Sequence, residues 1–241
     1  MICLKASLLS WSSLFVSLIC GVALAVSGCA SLFMPSGTKI LPKGADGLQR
    51  IEVSEAAPNE VPISTIYKNE TWNIEMGMPG GWKLSGELAK NGKSPFKVEF
   101  TRPNAWLSVF CWDGVNDAAA IKEKTVAAIR GVDAPPELNH NVWVIPGAGQ
   151  PAEIYTLFGY HDAVITVPDP KTGKPLRDPK TGKILAYEAH FKKTFKVIAK
   201  PATKPGGCNY GIQLLELAPD DSKTYTETLA GHALSIARGL K

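Results

Sequence analysis

The chain has 241 residues, 26 Lys and Arg against 22 Asp and Glu, and a net charge of +4. With 45% hydrophobic and 20% charged residues it has the composition of a globular protein, not of a disordered or fibrous one. This positive balance is too small to imply a nucleic-acid binder.

The first element is a leader over residues 1–28. Lys5 is its one early charge, and residues 8–26 carry none; Leu, Val, Ile, Phe and Ala dominate. Such a segment is an export signal and not part of a fold. The run is also about long enough to span a bilayer, since roughly 20 apolar residues suffice, so an uncleaved anchor helix is the alternative. The ending decides between them. Val26-Ser27-Gly28-Cys29 places two small residues directly before a Cys, which a simple anchor does not need. This ending resembles the lipobox of bacterial lipoproteins, although Val26 stands where that family usually has Leu. The resemblance implies cleavage before Cys29 and acylation of its thiol, with palmitate-type chains holding the protein to a membrane. Ala30, not Asp, follows the Cys, which by the same resemblance implies the outer membrane, facing the periplasm. In a host with a single membrane it implies the outer face of that membrane.

Residues 29–64 read as a lipidated tether. Pro35, Gly37, Pro42, Gly44, Gly47, Pro58 and Pro62 interrupt any periodicity, and such a stretch buries too little to order itself. The alternative is that Ile51 and Val53 add a short edge strand. Residues 65–241 read as one globular domain of a size that a single core can fill.

Within that domain, Thr71 to Met76 alternates as a strand, and Met78-Pro79-Gly80-Gly81 turns Trp82 back onto the core. Phe96 to Phe100 alternates cleanly, and Trp106 to Trp112 is dense enough for a central strand. Asn116 or Asp117 caps a helix running to about Arg130, with Ile121, Thr125, Ala128 and Ile129 on one face. Gly131 and Pro135-Pro136 stop it. Further strands follow at Val142–Ile145, 153–160, 163–167, 184–199 and 208–217, with His161-Asp162 at a turn between two of them. Asp220 or Asp221 caps a last helix whose stripe is Tyr225, Leu229, Ala233, Ile236 and Leu240.

Strands, a helix, many strands and a helix argue for an α+β fold: a mostly antiparallel sheet flanked by an internal and a C-terminal helix. Trp72-Asn73-Ile74 with Pro79-Gly80-Gly81-Trp82 near the start, and residues 225–238 at the end, resemble the PsbP-like family. Those are α/β/α sandwiches of photosystem accessory subunits and of bacterial envelope lipoproteins of the DcrB type. The resemblance implies an accessory role and leaves the hairpin insert described next unexplained.

The most unusual stretch is a tandem nonapeptide, residues 169–177 followed at once by 178–186, each opening Asp-Pro-Lys-Thr-Gly-Lys. Asp caps, Pro fixes φ and Gly supplies a left-handed residue, so both copies are turns. Together they make a protruding tip carrying Lys171, Lys174, Arg177, Lys180 and Lys183. It is either a basic contact for an acidic protein, lipid headgroup or glycan, or a solvated loop lengthened by duplication. Cys111 and Cys208 are the remaining cysteines after the leader and Cys29. They are either a disulfide, worth about 4 kcal/mol by loop closure, or two buried thiols.

Catalytic patterns fail on inspection. Lys171-Thr172-Gly173 and Ser94-x-x-Lys97 match penicillin-recognising enzymes on paper, but Pro95 leads into a strand where Ser94 and Lys97 face opposite sides. His140, His161, His190 and His232 are not spaced as metal ligands. No phosphate loop or dinucleotide fingerprint occurs, so no cofactor or metal is expected. The five domain tryptophans are core residues or, where exposed, a ligand platform. The expected function is therefore a membrane-anchored envelope lipoprotein acting as a non-enzymatic binding or accessory domain. Its partners would be the membrane through its lipid and another envelope protein or glycan, with no nucleic acid. A hydrolase of an envelope polymer and a structural subunit of an envelope-spanning complex are the alternatives.

Overall fold

A computed structural model describes residues 38–53, 60–88, 96–129, 137–147, 149–219 and 223–241. Eleven strands and two α-helices are present among them. The strands are β1 (Thr38–Ile40), β2 (Gln49–Val53), β3 (Ile63–Asn69), β4 (Ile74–Pro79), β5 (Lys83–Leu88), β6 (Phe96–Arg102), β7 (Ala105–Cys111), β8 (Glu137–Ile145), β9 (Ala152–Thr166), β10 (Ala186–Lys200) and β11 (Tyr210–Pro219). The helices are α1 (Ala118–Ala127) and α2 (Lys223–Arg238). Nine strands form one sheet in the order β1-β2-β8-β9-β10-β11-β7-β6-β5, and β3 and β4 form a separate hairpin. Every pair is antiparallel except β2 with β8. The fold is thus α+β with an antiparallel-dominated, mixed sheet.

Strand alternation sorts the interior into two layers. Phe96, Val98 and Phe100 of β6, Leu107 and Val109 of β7, and Ile212 and Leu214 of β11 face α2 and β4. Tyr155 and Leu157 of β9 and Phe195, Val197 and Ala199 of β10 face α1. Helix α2 seats Leu229, Ala233, Leu234 and Ile236, all at most 1% exposed; each large aliphatic side chain buried this way contributes roughly 1.5–3 kcal/mol. The expected stripe is therefore on the sheet, although the side chain of Tyr225 and the caps Asp220 and Asp221 lie outside the described residues. Helix α1 starts where expected, with the Asp117 carboxylate accepting from the Ala120 N–H at 2.8 Å. It buries Ile121 and Thr125. Arg130, Gly131 and the Pro135-Pro136 stop fall outside the described residues.

Three expectations need correction. Residues 38–53, expected within a tether over 29–64, belong to the sheet: β1 and β2 extend it, and Ile51 and Val53 are 1% and 0% exposed. The Pro and Gly residues between these strands make turns without preventing pairing; Ile51 and Val53 add a strand as the alternative had it, although β1 and not their own β2 is the edge. The strand expected from Thr71 begins only at Ile74. Glu70–Trp72 is a 3-10 turn, capped by Asn69 and ended by Asn73 at φ 49, a left-handed conformation that Asn tolerates. The turn expected at His161-Asp162 does not exist: β9 runs straight through it and pairs with β10 in one register from Thr166↔Ala186 to Glu153↔Ala199. Its alternation continues through the polar residues, because a two-stranded ribbon has no core to punctuate it.

Cys111 closes β7 and Cys208 precedes β11. Their Cα atoms are 5.2 Å apart and a disulfide joins them across 97 residues of sequence. Gly211, beside them, admits α1: a Cβ there would lie 2.1 Å from Thr125 Oγ1.

Candidate functional site

The β9–β10 ribbon outgrows the sheet. β8 pairs with β9 only as far as Phe158, and β11 with β10 only from Phe191. Beyond those points Asp162 to Thr166 and Ala186 to His190 pair with each other alone among the described residues. One face of this arm carries Ala163, Ile165, Tyr187 and Ala189, continuing the side that α1 covers lower down. The other carries Asp162, Val164, Glu188 and His190, with His190 Nδ1 2.5 Å from Asp162 Oδ1. Tyr160, Val164 and Tyr187 are more than half exposed.

At the tip the two nonapeptides fold alike. In each, the Gly N–H (Gly173, Gly182) donates to the Asp carbonyl at 2.8 Å, and the Asp N–H donates to the second Lys carbonyl at 2.8 Å. The carboxylates of Asp169 and Asp178 accept the N–H groups of Lys171 and Lys180 at 2.7 Å. Backbone hydrogen bonds, from Lys171 to Asp169 and from Thr181 and Lys180 to Asp178, hold both carboxyls below the usual Asp range. Three backbone hydrogen bonds close a ring between them. Val167 donates to Leu185 (2.9 Å), Leu185 to Leu176 (2.9 Å) and Leu176 to Val167 (2.8 Å). The three ring residues are nine apart in sequence, so the nonapeptide period is the period of the ring. The ribbon is one branch of this junction and the two loops are the other two, each closed by a bridge, Pro168↔Pro175 and Arg177↔Ile184. The tip is a fork with two matching prongs. Lys171, Lys174, Arg177, Lys180 and Lys183 are all exposed on it, and Arg177 also donates to the Gly182 carbonyl at 2.9 Å.

A second constellation is buried under α2. Arg102 ends β6 in the same alternation phase as Phe96, Val98 and Phe100, and Glu216 sits in β11 in phase with Ile212 and Leu214. His232 of α2 is 3% exposed and Glu216 2%. Arg102 Nη2 donates to Glu216 Oε1 at 3.2 Å, and Arg102 Nη1 lies 2.5 Å from His232 Nε2. Trp82, delivered by the Gly80-Gly81 turn, donates from Nε1 to His232 Nδ1 at 3.1 Å, while Arg102 lies over its ring at 5.3 Å. A neutral imidazole has one lone pair to offer, yet here both nitrogens face donors. Burial and the Arg102 charge bring His232 down to about 4. Burial raises Glu216 to about 7, against the opposing pull of Arg102. Nearby, Lys196 is buried against Trp143 (5.1 Å to the ring) with Nζ donating to Thr156 Oγ1 at 2.7 Å, and burial lowers it to about 8.

The sequence reading placed His232 near the sheet-facing stripe but missed its companions. The available signal was a charge in the apolar phase of a strand: Arg102, Lys196 and Glu216 each interrupt one. Ser94 and Cys29 fall outside the described residues. Lys97 pairs with Glu99 along β6. Trp106 is 41% exposed, while Trp72, Trp82, Trp112 and Trp143 are partly buried against the two cores. Among the described residues, no three His, Cys, Asp or Glu side chains gather as metal ligands, and no helix is long and apolar enough to cross a membrane.

No family model matches the sequence, and no curated protein or solved structure is similar to it.

Proposed function

We propose that this chain is a lipid-anchored envelope protein that works as a non-enzymatic binding or accessory domain, presenting its forked arm to a partner. The observation that carries the reading is Val26-Ser27-Gly28-Cys29 at the end of a charge-free apolar run. Two or more acyl chains at Cys29 anchor stably where one does not, each buried methylene contributing about 0.8 kcal/mol. Residues 30–37 would then be the whole link to β1, roughly 28 Å at full stretch, and the sheet would stand close to its membrane. The Cys111–Cys208 disulfide supports the placement, since such bonds persist in oxidising compartments outside the cytosol.

The test is metabolic labelling with a clickable palmitate. Label on the wild-type chain, and none on C29S, is the expected result. An unlabelled wild type, or label that survives the substitution, overturns the reading.

A further inference from the structure

We infer that the forked tip binds an extended anionic polysaccharide, one acidic sugar chain engaged by both prongs at once. The inference rests on the binding-domain reading above and names its ligand. Three observations carry it.

The first is charge. Five exposed cations crowd the fork, and its two carboxylates are occupied with the backbone N–H groups of their own loops. The second is what the prongs lack. The Asp-Pro-Lys-Thr-Gly-Lys of each carries no aromatic or large aliphatic side chain to enter an acyl layer, and the exposed Ile184 and Leu185 belong to the junction at its base; a headgroup-seeking element ordinarily adds such residues to its cations. The fork suits a hydrated polyanion, read by charge.

The third is placement and duplication. Thr38 pairs with Val53, level with the Ile145 and Ala152 end of the sheet, whereas the fork lies past Thr166 at the other end of β9. At about 3.3 Å per residue these ends are roughly 45 Å apart. A chain anchored ahead of Thr38 therefore carries its fork at the end remote from the anchor. Two matching prongs on one rigid junction make the second contact intramolecular, which favours a ligand long enough to reach both. Linked contacts of this kind raise affinity 10²–10⁴-fold over one contact.

The experiment is calorimetric titration of the full chain, in neutral detergent, with hyaluronan fragments of two to sixteen sugars at low ionic strength. Expected is a rise in affinity of at least tenfold once the fragment spans both prongs, and loss of binding as salt is added. Two double variants, K171Q/K174Q and K180Q/K183Q, should weaken the long fragment equally, and the quadruple variant should abolish its binding. Deleting residues 169–177 leaves a single-loop hairpin in the same ribbon register; it should keep the thermal midpoint and lose the length dependence. Binding of no fragment, length-independent binding, or an unaffected quadruple variant overturns the inference. Tighter retention by vesicles of phosphatidylglycerol and phosphatidylcholine than by the longest fragment also overturns it, in favour of a membrane contact. Palmitate labelling at Cys29 is scored separately, so failure here is distinguishable from failure of the anchored reading.

Discussion

The buried cluster of Trp82, Arg102, Glu216 and His232 makes two pH dependences of opposite sign cancel. His232 titrates at about 4 in the folded chain against 6.5 in an unperturbed one. Protonating it is harder in the fold, so its contribution is fully present above 6.5 and is lost as pH falls towards 4. Glu216 titrates at about 7 against 4.5. Ionising it is harder in the fold, so its contribution is fully present below 4.5 and is lost as pH rises to 7. Each gap corresponds to about 3 kcal/mol, and both groups are almost wholly buried, so solvent screens neither strongly. Between pH 4.5 and 6.5 the two slopes offset one another in the wild type. E216Q removes one of them: its stability relative to wild type should rise by about 3 kcal/mol from pH 4.5 to 7. H232Q removes the other: its stability relative to wild type should rise by about 3 kcal/mol as pH falls from 6.5 to 4. The assay is urea unfolding of the three proteins from pH 4 to 7.5 at constant ionic strength. Profiles of both variants that run parallel to wild type would refute the reasoning, since they would mean that neither group is perturbed by the fold.

Replacing the buried amine in K196M should raise the urea midpoint at pH 7, by about 1–3 kcal/mol of stability, because the ammonium is desolvated with one hydrogen bond and the Met fills its space; a fall in midpoint would show the Thr156 contact to outweigh desolvation. Reducing the Cys111–Cys208 bond should cost about 4–5 kcal/mol by the loop-closure model for a 97-residue separation, read as the difference in unfolding free energy with and without dithiothreitol; an unchanged midpoint would sink it. Gly239 and Gly77 approach backbone to backbone, with Gly77 N–H donating to the Gly239 carbonyl at 2.9 Å, and a Cβ on Gly239 would fall 2.8 Å from Gly77 Cα. G239A should therefore destabilise by about 1–3 kcal/mol and free the Met76↔Leu240 bridge, detectable as faster amide exchange at Gly77; unchanged exchange would mean the end of α2 is held elsewhere.

The two-layer core was legible because it follows alternation and helical spacing, which burial enforces residue by residue. Phe96 to Phe100 and the stripe Leu229-Ala233-Ile236 need no knowledge of the rest of the chain. β1 and β2 were not legible in the same way. Only Ile51 and Val53 mark β2, and what makes it a strand is a free edge on β8, a partner 92 residues away in sequence. The buried ions were hidden for the converse reason. Arg102, Lys196 and Glu216 read as surface residues by type, and only the register that carries them under α2 and beside Trp82 or Trp143 makes them interior. Their signal, a charge out of phase in an otherwise apolar alternation, was present in the sequence and is general.

The tandem repeat shows where turn chemistry stops and tertiary geometry begins. Asp-Pro-Lys-Thr-Gly-Lys dictates a tight loop by itself, and two copies dictate two loops. Nothing in the motif says whether they stack, splay or collapse. That is decided by Val167, Leu176 and Leu185, which supply one N–H and one carbonyl each to a closed ring. The ring needs a residue every ninth position, and the duplication provides it twice. A change of one residue in either loop length would move Leu176 or Leu185 out of the ring and leave an N–H without its acceptor. Sequence drift within the prongs is thus tolerated while their length is not. The same ring that fixes the spacing of the prongs is what makes the four lysines act as two equivalent pairs, so the stability of the junction and the proposed affinity for a long anionic chain depend on one set of three hydrogen bonds.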